Sequence, residues 1–190
     1  AASAEGESGE KLFALCSQCH QADGGGDLLA RAPSIAGLDT WYVQKQLKKF
    51  RAGIRGAHPE DYAGLRMYPM ALQLVEDEDL ATVAAYVGSL PVKKPQPSLE
   101  GGDATRGREL YKPCVACHGV DGKGVQALGG PPIDHASDWY LLDQLKKFKT
   151  GIRGGDPRDS SGALMRPMTF SLTDEQTMKD VIAYIMTLSP

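Results

Sequence analysis

The sequence predicts an all-α fold made of two tandem copies of one small module. Three observations carry that prediction. First, residues 98 positions apart match. Trp41-Tyr42 recurs as Trp139-Tyr140, Gln46-Leu47-Lys48-Lys49-Phe50 as Gln144-Leu145-Lys146-Lys147-Phe148, and Gly53-Ile54-Arg55-Gly56 as Gly151-Ile152-Arg153-Gly154. Second, that offset holds from residue 16 to residue 90 without a gap. This is a duplication and not a solenoid, which needs three or more repeats. Third, the apolar residues follow a helical period, and no alternating run is long enough for a strand. The first domain is set at 1–91 and the second, with most of the linker, at 92–190. Pro91 to Gly102 holds three prolines and two glycines on a polar background, the composition of an extended interdomain linker.

Length and charge narrow the function. The chain has 190 residues and a net charge of −3, with no strongly basic patch to suggest nucleic acid. No apolar run approaches the ~18 residues of a membrane span. The Ala-Ala-Ser-Ala-Glu start has neither a basic nor an apolar leader region, so a signal peptide, if there was one, is expected to have been removed. Each module, at about 90 residues, is small for a self-sufficient core.

The elements of one module follow in order. A short helix is expected over about 5–15, with Leu12, Phe13 and Leu15 apolar and Gly9 allowing close approach of another backbone; its counterpart holds Gly107, Leu110 and Tyr111. Glycine-rich turns follow at Asp23-Gly24-Gly25-Gly26 and Asp121-Gly122-Lys123-Gly124. They lack the lysine-containing pattern and the preceding strand of a phosphate loop. Asp39-Thr40 and Ser137-Asp138 are N-cap candidates for a second helix. Its stripe is Val43, Leu47 and Phe50, repeated as Leu141, Leu145 and Phe148, and it ends near Gly53 and Gly151. Lys45, Lys48, Lys49, Lys146, Lys147 and Lys149 lie off that stripe, on a face that is either simply solvated or a docking surface for an acidic partner. The last helix carries Leu80, Val83, Ala84, Val87 and Leu90, matched by Met178, Val181, Ile182, Ile185 and Leu188. Thr173 to Gln176 has the form of a capping box. The first copy has Val75 there, and Glu76 to Asp79 instead favour the positive end of the helix dipole.

The chemistry sits in Cys16-Ser17-Gln18-Cys19-His20 and its copy Cys114-Val115-Ala116-Cys117-His118. Cys-x-x-Cys-His is the attachment signature of c-type haem. Cysteines three apart on a helical turn share a face and reach the two vinyl groups of one porphyrin, with the histidine below the iron. A redox dithiol does not need the histidine, and a zinc site needs two more ligands nearby. The two motifs use all four cysteines, so two haem c groups are expected: Cys16, Cys19, Cys114 and Cys117 as thioether sites, His20 and His118 as axial ligands. Pro33 and Pro131 can pack beside these histidines and accept their second N–H. Arg55, Arg153, Trp41 and Trp139 are candidates to meet haem propionates, the tryptophans equally candidates for core packing. A methionine thioether on the second axial position would close the site and raise its potential. Met67-Tyr68-Pro69-Met70 and Met165-Arg166-Pro167-Met168 offer two methionines per module, the first of each pair 47 residues after its histidine. His58 and His135 are rivals but not equivalent in the repeat, and are expected at the surface.

Two such modules resemble the dihaem cytochrome c4 family over nearly the whole chain. The resemblance implies two tandem cytochrome c-like domains facing each other across haem propionates. It also implies a monomeric, periplasmic carrier that passes single electrons to or from a respiratory oxidase, reductase or dehydrogenase. In cytochromes of this kind the methionine ligand lies about eight residues before the last helix cap, which favours Met67 and Met165 over Met70 and Met168. The Gly-Ile-Arg-Gly and Met-x-Pro-Met segments fit the family's typical members only loosely. A dihaem subunit of a larger oxidoreductase has the same site chemistry, so it is the alternative; a dihaem enzyme is the third reading. A peroxidase of that kind is usually much longer, and a thiosulfate dehydrogenase uses a cysteine ligand that this chain does not have to spare.

Intact-mass measurement should exceed the 20.4 kDa polypeptide by two haems. A gain of one haem would mean that one attachment motif is silent.

Overall fold

The computed structural model describes residues 8–188, all helix, turn and loop apart from two isolated β-bridges. The chain forms two compact units, one ending at Val92 and the next beginning at Lys93. No helix among the described residues is long and apolar enough to cross a membrane.

The first unit holds α1 (Gly9–His20), α2 (Thr40–Arg51), α3 (Tyr62–Leu72) and α4 (Asp77–Ser89). The part of the expected first helix before Ser8 lies outside the described residues. Ser8 caps α1, its hydroxyl accepting from the Lys11 amide at 3.3 Å, and the helix continues through the whole Cys-x-x-Cys-His motif. Phe13 from α1 and Leu80, Val83 and Val87 from α4 form the core with Leu74, and Val43 and Leu47 of α2 pack against it. At Gly9 an added Cβ would stand 2.6 Å from the Tyr86 Cβ. Phe13 and Tyr86 pack just beyond, ring centroids 5.3 Å apart.

The second unit repeats the plan with α5 (Ala104–Tyr111), α6 (Val115–His118), α7 (Asp138–Thr150), α8 (Ser160–Met168) and α9 (Glu175–Ile185). Pro113 stands where the first module has Leu15. Without an N–H, proline cannot continue the i to i−4 ladder, and a 3₁₀ turn over Lys112–Cys114 separates α5 from α6. Tyr111, Leu141, Leu142, Met178, Val181, Ile182 and Ile185 make this core. Tyr111 and Tyr184 repeat the aromatic pair at 5.3 Å.

Caps depart from the sequence pattern in two places. The reciprocal capping box of α9 falls on Asp174 and Thr177, one residue later than expected: Asp174 has the extended backbone of a cap and accepts from the Thr177 amide at 2.8 Å. At α2 and α7, Asp39 and Ser137 stand at the cap position but make no side-chain cap bond. Asp39 accepts the Trp41 indole N–H at 3.0 Å.

The linker also departs from an extended tether. Asp138, 1% exposed, accepts from the Ser98 and Leu99 amides and the Ser98 hydroxyl. The Lys94 ammonium donates to the Leu188 carbonyl, the Gln176 amide to the Gly101 carbonyl, and the Asp103 amide to buried Asp180. Residues 94–103 are thus strapped onto the second unit by side chains whose first-module counterparts, Thr40 and Thr82, carry no carboxylate.

Two of the off-stripe lysines make the same ion pair in both modules. Lys48 pairs with Asp77 at 3.2 Å and Lys146 with Glu175 at 2.6 Å, the same pair at the 98-residue offset. Such exposed pairs contribute little stability; Lys147, by contrast with the solvated face expected, is buried and paired with Asp143.

Gly107→Ala should destabilise the holoprotein by about 3 kcal/mol, because the new Cβ would fall inside the radius of the Asp180 carbonyl oxygen. Gly9→Ala should cost less, since its nearest neighbour is a side-chain carbon. Denaturant unfolding of both variants checks the order; equal stability of Gly107→Ala and wild type would refute the close crossing of α5 and α9.

Candidate haem sites

Each site is built on the last turn of the helix that ends at its histidine. In the first module Cys16 is half-buried, Cys19 is exposed and His20 is buried; Cys114, Cys117 and His118 repeat this pattern. All four thiols are free. The His20 Nδ1–H donates to the Pro33 carbonyl at 2.9 Å, and the His118 Nδ1–H to the Pro131 carbonyl at 2.9 Å. With Nδ1 as donor, Nε2 keeps the lone pair that an iron would take. Burial pushes both imidazoles below the usual histidine range, toward the neutral form, and the proline carbonyls oppose that only in part.

The loop between histidine and proline is shaped by glycine. The Gly26 amide donates to the His20 carbonyl at 3.0 Å, and the Gly124 amide to the His118 carbonyl at 2.8 Å. At Gly26, with φ of +82°, a Cβ would stand 2.5 Å from the Pro33 carbonyl carbon; at Gly124, with φ of +83°, it would stand 2.6 Å from the same atom of Pro131. The loop can press against the proline only because no side chain intervenes. Ile35 N donates to the Gly24 carbonyl at 2.8 Å, and Ile133 N to the Gly122 carbonyl at 2.7 Å.

The methionine segments are helical. Asp61 and Asp159 cap α3 and α8, their buried carboxylates accepting from Gly64 N at 3.0 Å and Gly162 N at 2.8 Å. Pro69 and Pro167 fall near the C-terminal ends of these helices. There the missing N–H interrupts only the last turn, so the helix survives. Met67 and Met165 are half-buried, while Met70 and Met168 are each 38% exposed. Three residues apart on a helix, the two methionines of a pair lie on the same side.

The remaining candidates are placed as follows. Arg55 is buried, donates to the Gln46 side chain at 2.8 Å and lies 4.5 Å over the Phe50 ring. Arg153 does the same with Gln144 at 2.7 Å and Phe148 at 4.5 Å. The adjacent Gly56 and Gly154 press against the Gly64 and Gly162 carbonyls, so this turn seats the first turn of the methionine helix. Trp139 is buried beside the core, whereas Trp41 is half-buried. His58 is exposed as expected. His135 is not at the surface: it is buried and paired with buried Asp134. The sequence showed only that this histidine lacks a twin, and a lone histidine gives no sign of its burial.

These residues fit haem c. A reactive dithiol needs a lowered thiol pKa, yet burial pushes Cys16 up and Cys114 up to about 11. Among the described residues no cluster of three or more His, Cys, Asp or Glu side chains is arranged to hold a metal ion alone. The geometry instead offers, twice, two thiols on one side of a helical turn and a neutral imidazole with a fixed ring. Fold and site together define a dihaem c-type electron-transfer protein.

The cytochrome c family model matches residues 6–91 and again residues 104–189. A thiosulfate dehydrogenase electron acceptor of Stutzerimonas stutzeri is 37% identical over 164 residues, 81% of this chain and 72% of that protein. The crystal structure of reduced cytochrome c4 from Pseudomonas stutzeri superposes with a TM-score of 0.72 at 26% identity, over 97% of this chain and 100% of that one. A thiosulfate dehydrogenase from Marichromatium purpuratum superposes with a TM-score of 0.71 at 34% identity; the match covers 90% of this chain but only 36% of that one. The chain belongs to the cytochrome c family, as a dihaem electron carrier of the cytochrome c4 type carrying two haem c groups.

Proposed function

We propose that the chain is an exported, periplasmic electron carrier and not itself an enzyme. Residues 1–91 hold one haem through Cys16 and Cys19, with His20 and Met67 as axial ligands. Residues 92–190 hold the other through Cys114 and Cys117, with His118 and Met165. The observation that carries this reading is the repeated 2.9 Å bond from each histidine Nδ1 to a proline carbonyl, which presents Nε2 in one orientation in both modules. Bound haem supplies a reversible one-electron couple. The protein's part is to fix the imidazole ring, keep it neutral and offer a thioether. A methionine ligand raises the potential and leaves no open position for substrate. The greater burial of Met67 and Met165 supports them over Met70 and Met168.

The electron donor proposed is a thiosulfate-oxidising dehydrogenase, and the acceptor a respiratory oxidase or reductase. The name of the 37%-identical relative supports the donor. The partial match to a longer dehydrogenase chain supports a second reading, an electron-transfer module held within a larger oxidoreductase.

The ligand assignment is tested by Met165→Ala beside Met168→Ala. Met165→Ala should abolish the sulfur-to-iron absorption band of one haem and lower that haem's potential, while Met168→Ala keeps both. The reverse result would move the assignment to Met168, and by the repeat to Met70.

The donor is tested by mixing the oxidised holoprotein with thiosulfate, with and without a purified thiosulfate dehydrogenase. Reduction should require the dehydrogenase. Reduction by thiosulfate alone would refute the carrier reading in favour of an enzyme. Co-elution with the dehydrogenase as a stable complex in gel filtration would favour the subunit.

A further inference from the structure

The two modules build the helix of their histidine differently. In the first, α1 runs unbroken from Gly9 to His20. In the second, Pro113 divides it, and His118 stands at the end of α6, a helix of four residues. A single turn is the unfavourable nucleus of a helix, with no further bonds along the chain to offset it. The turn that carries His118 therefore needs ties from outside itself. Two come from the loop that follows: the Gly124 amide donates to the His118 carbonyl at 2.8 Å, and the Val125 amide to the Cys117 carbonyl at 2.9 Å. A third comes from before the break. The Tyr111 hydroxyl donates to the Gly119 carbonyl at 2.8 Å.

Tyr111 is the last residue of α5 and Gly119 the first after α6, so this bond spans the interruption. Its first-module counterpart is Phe13. Both rings are 2% exposed, and each pairs with a tyrosine of the last helix, centroids 5.3 Å apart. The ring site is thus the same, and the hydroxyl is what the second module adds. The first module has no use for it. There Gln21 stands in place of Gly119, and its carbonyl accepts the Gly24 amide at 3.1 Å. The equivalent bond, from the Gly122 amide to the Gly119 carbonyl, does not form among the described residues. A phenol has taken the place of a backbone amide on the same carbonyl. Burial pushes that phenol above the usual tyrosine range, which keeps it a donor. The proline and the hydroxyl also enter together: the first module has Leu15 and Phe13, the second Pro113 and Tyr111.

We propose that Tyr111 is a positioning residue for His118, its hydroxyl bracing the one-turn helix α6 across the break at Pro113. The brace acts on the residue next to the ligand. Gly119 is held from α5, the His118 carbonyl by the Gly124 amide, and the His118 ring by the Pro131 carbonyl. Backbone and ring are then both fixed, and α6 cannot swing about the 3₁₀ turn that precedes it. In the first module the unbroken α1 supplies that constraint for His20. The inference rests on the reading that His118 ligates the second haem.

The experiment compares the oxidised holoprotein as wild type, Tyr111→Phe, Pro113→Leu and the double variant, by electron paramagnetic resonance and intact mass. Both changes bring in the first module's residues, and Pro113 is exposed, so the leucine meets no core. The second haem's signal is the one missing from a Cys114→Ser/Cys117→Ser chain. Tyr111→Phe should broaden that signal as the orientation of the imidazole spreads, and leave the first haem's signal unchanged. It should also lower the unfolding constant of the holoprotein roughly tenfold, the effect of one lost hydrogen bond. Adding Pro113→Leu should restore the sharp signal, because a continuous helix no longer needs the brace. The two positions would then be coupled, as a double-mutant cycle measures; a merely space-filling hydroxyl would show no such rescue. Two haems by mass with an unchanged second signal in Tyr111→Phe would overturn the proposal. So would a broadening that Pro113→Leu fails to reverse, or an equal change at both haems. If Tyr111→Phe loses the second haem, recovery of the two-haem mass in the double variant supports the brace, and no recovery overturns it. A wild type carrying one haem would overturn the site assignment instead.

Discussion

The structure depends on one hydrogen bond made twice, from a histidine ring nitrogen to the carbonyl of a proline 13 residues later. At 2.9 Å it determines which ring nitrogen carries a proton, and so which one is left to bind iron. The bond also explains the shape of the loop that spans it. Gly26 and Gly124 lie against the proline backbone, where any Cβ would clash, and their amides close back on the histidine carbonyl. The loop therefore behaves as a clip: the helix end supplies the histidine, the glycine turn reverses the chain, and the proline returns as acceptor. Because every partner in the clip except the histidine ring is backbone, side chains around it can change without moving the histidine.

That freedom shows in how the modules have diverged. Their histidine–proline geometry is the same, but their surroundings are not. The first helix is continuous in one module and broken by Pro113 in the other. Asp138 and Asp180 strap the linker to the second module, where the first has threonines. A buried histidine–aspartate pair stands where the first has alanine and glycine. In the second module buried charge has been added at three places, each satisfied at least in part by the chain, which suits a unit that must also hold its linker.

The helices and the sites were legible because duplication doubles every signal. A stripe such as Val43, Leu47 and Phe50 is modest evidence once; found again at Leu141, Leu145 and Phe148, it is a helix. The Cys-x-x-Cys-His motifs were legible because haem attachment constrains residue type and spacing together. What escaped was long-range or unrepeated. The capture of linker amides by Asp138 joins residues 40 apart, and no local pattern marks it. The seating of Arg55 on Gln46 and Phe50 is local, but a buried arginine reads the same in sequence as one aimed at a carboxylate. The helix of the methionine segment has no such double marking: its cap is one buried aspartate, Asp61 or Asp159, and the proline near its C-terminus costs little. His135 was misplaced because, having no twin, it looked dispensable.

Repetition and its failure thus carry different information. What recurs at the 98-residue offset is what any such module needs to fold around its haem: the glycine clip, the proline acceptor, the capped methionine helix, the stacked arginine. What fails to recur is free of that demand, and among buried residues such freedom is informative. Surface positions drift at little cost, but a buried ionisable pair is expensive to desolvate and persists only against some return. Two modules with identical ligands would hold their electrons equally well, and nothing would direct transfer between them. A difference in potential must come from outside the ligand set, from the charges and hydrogen bonds around it.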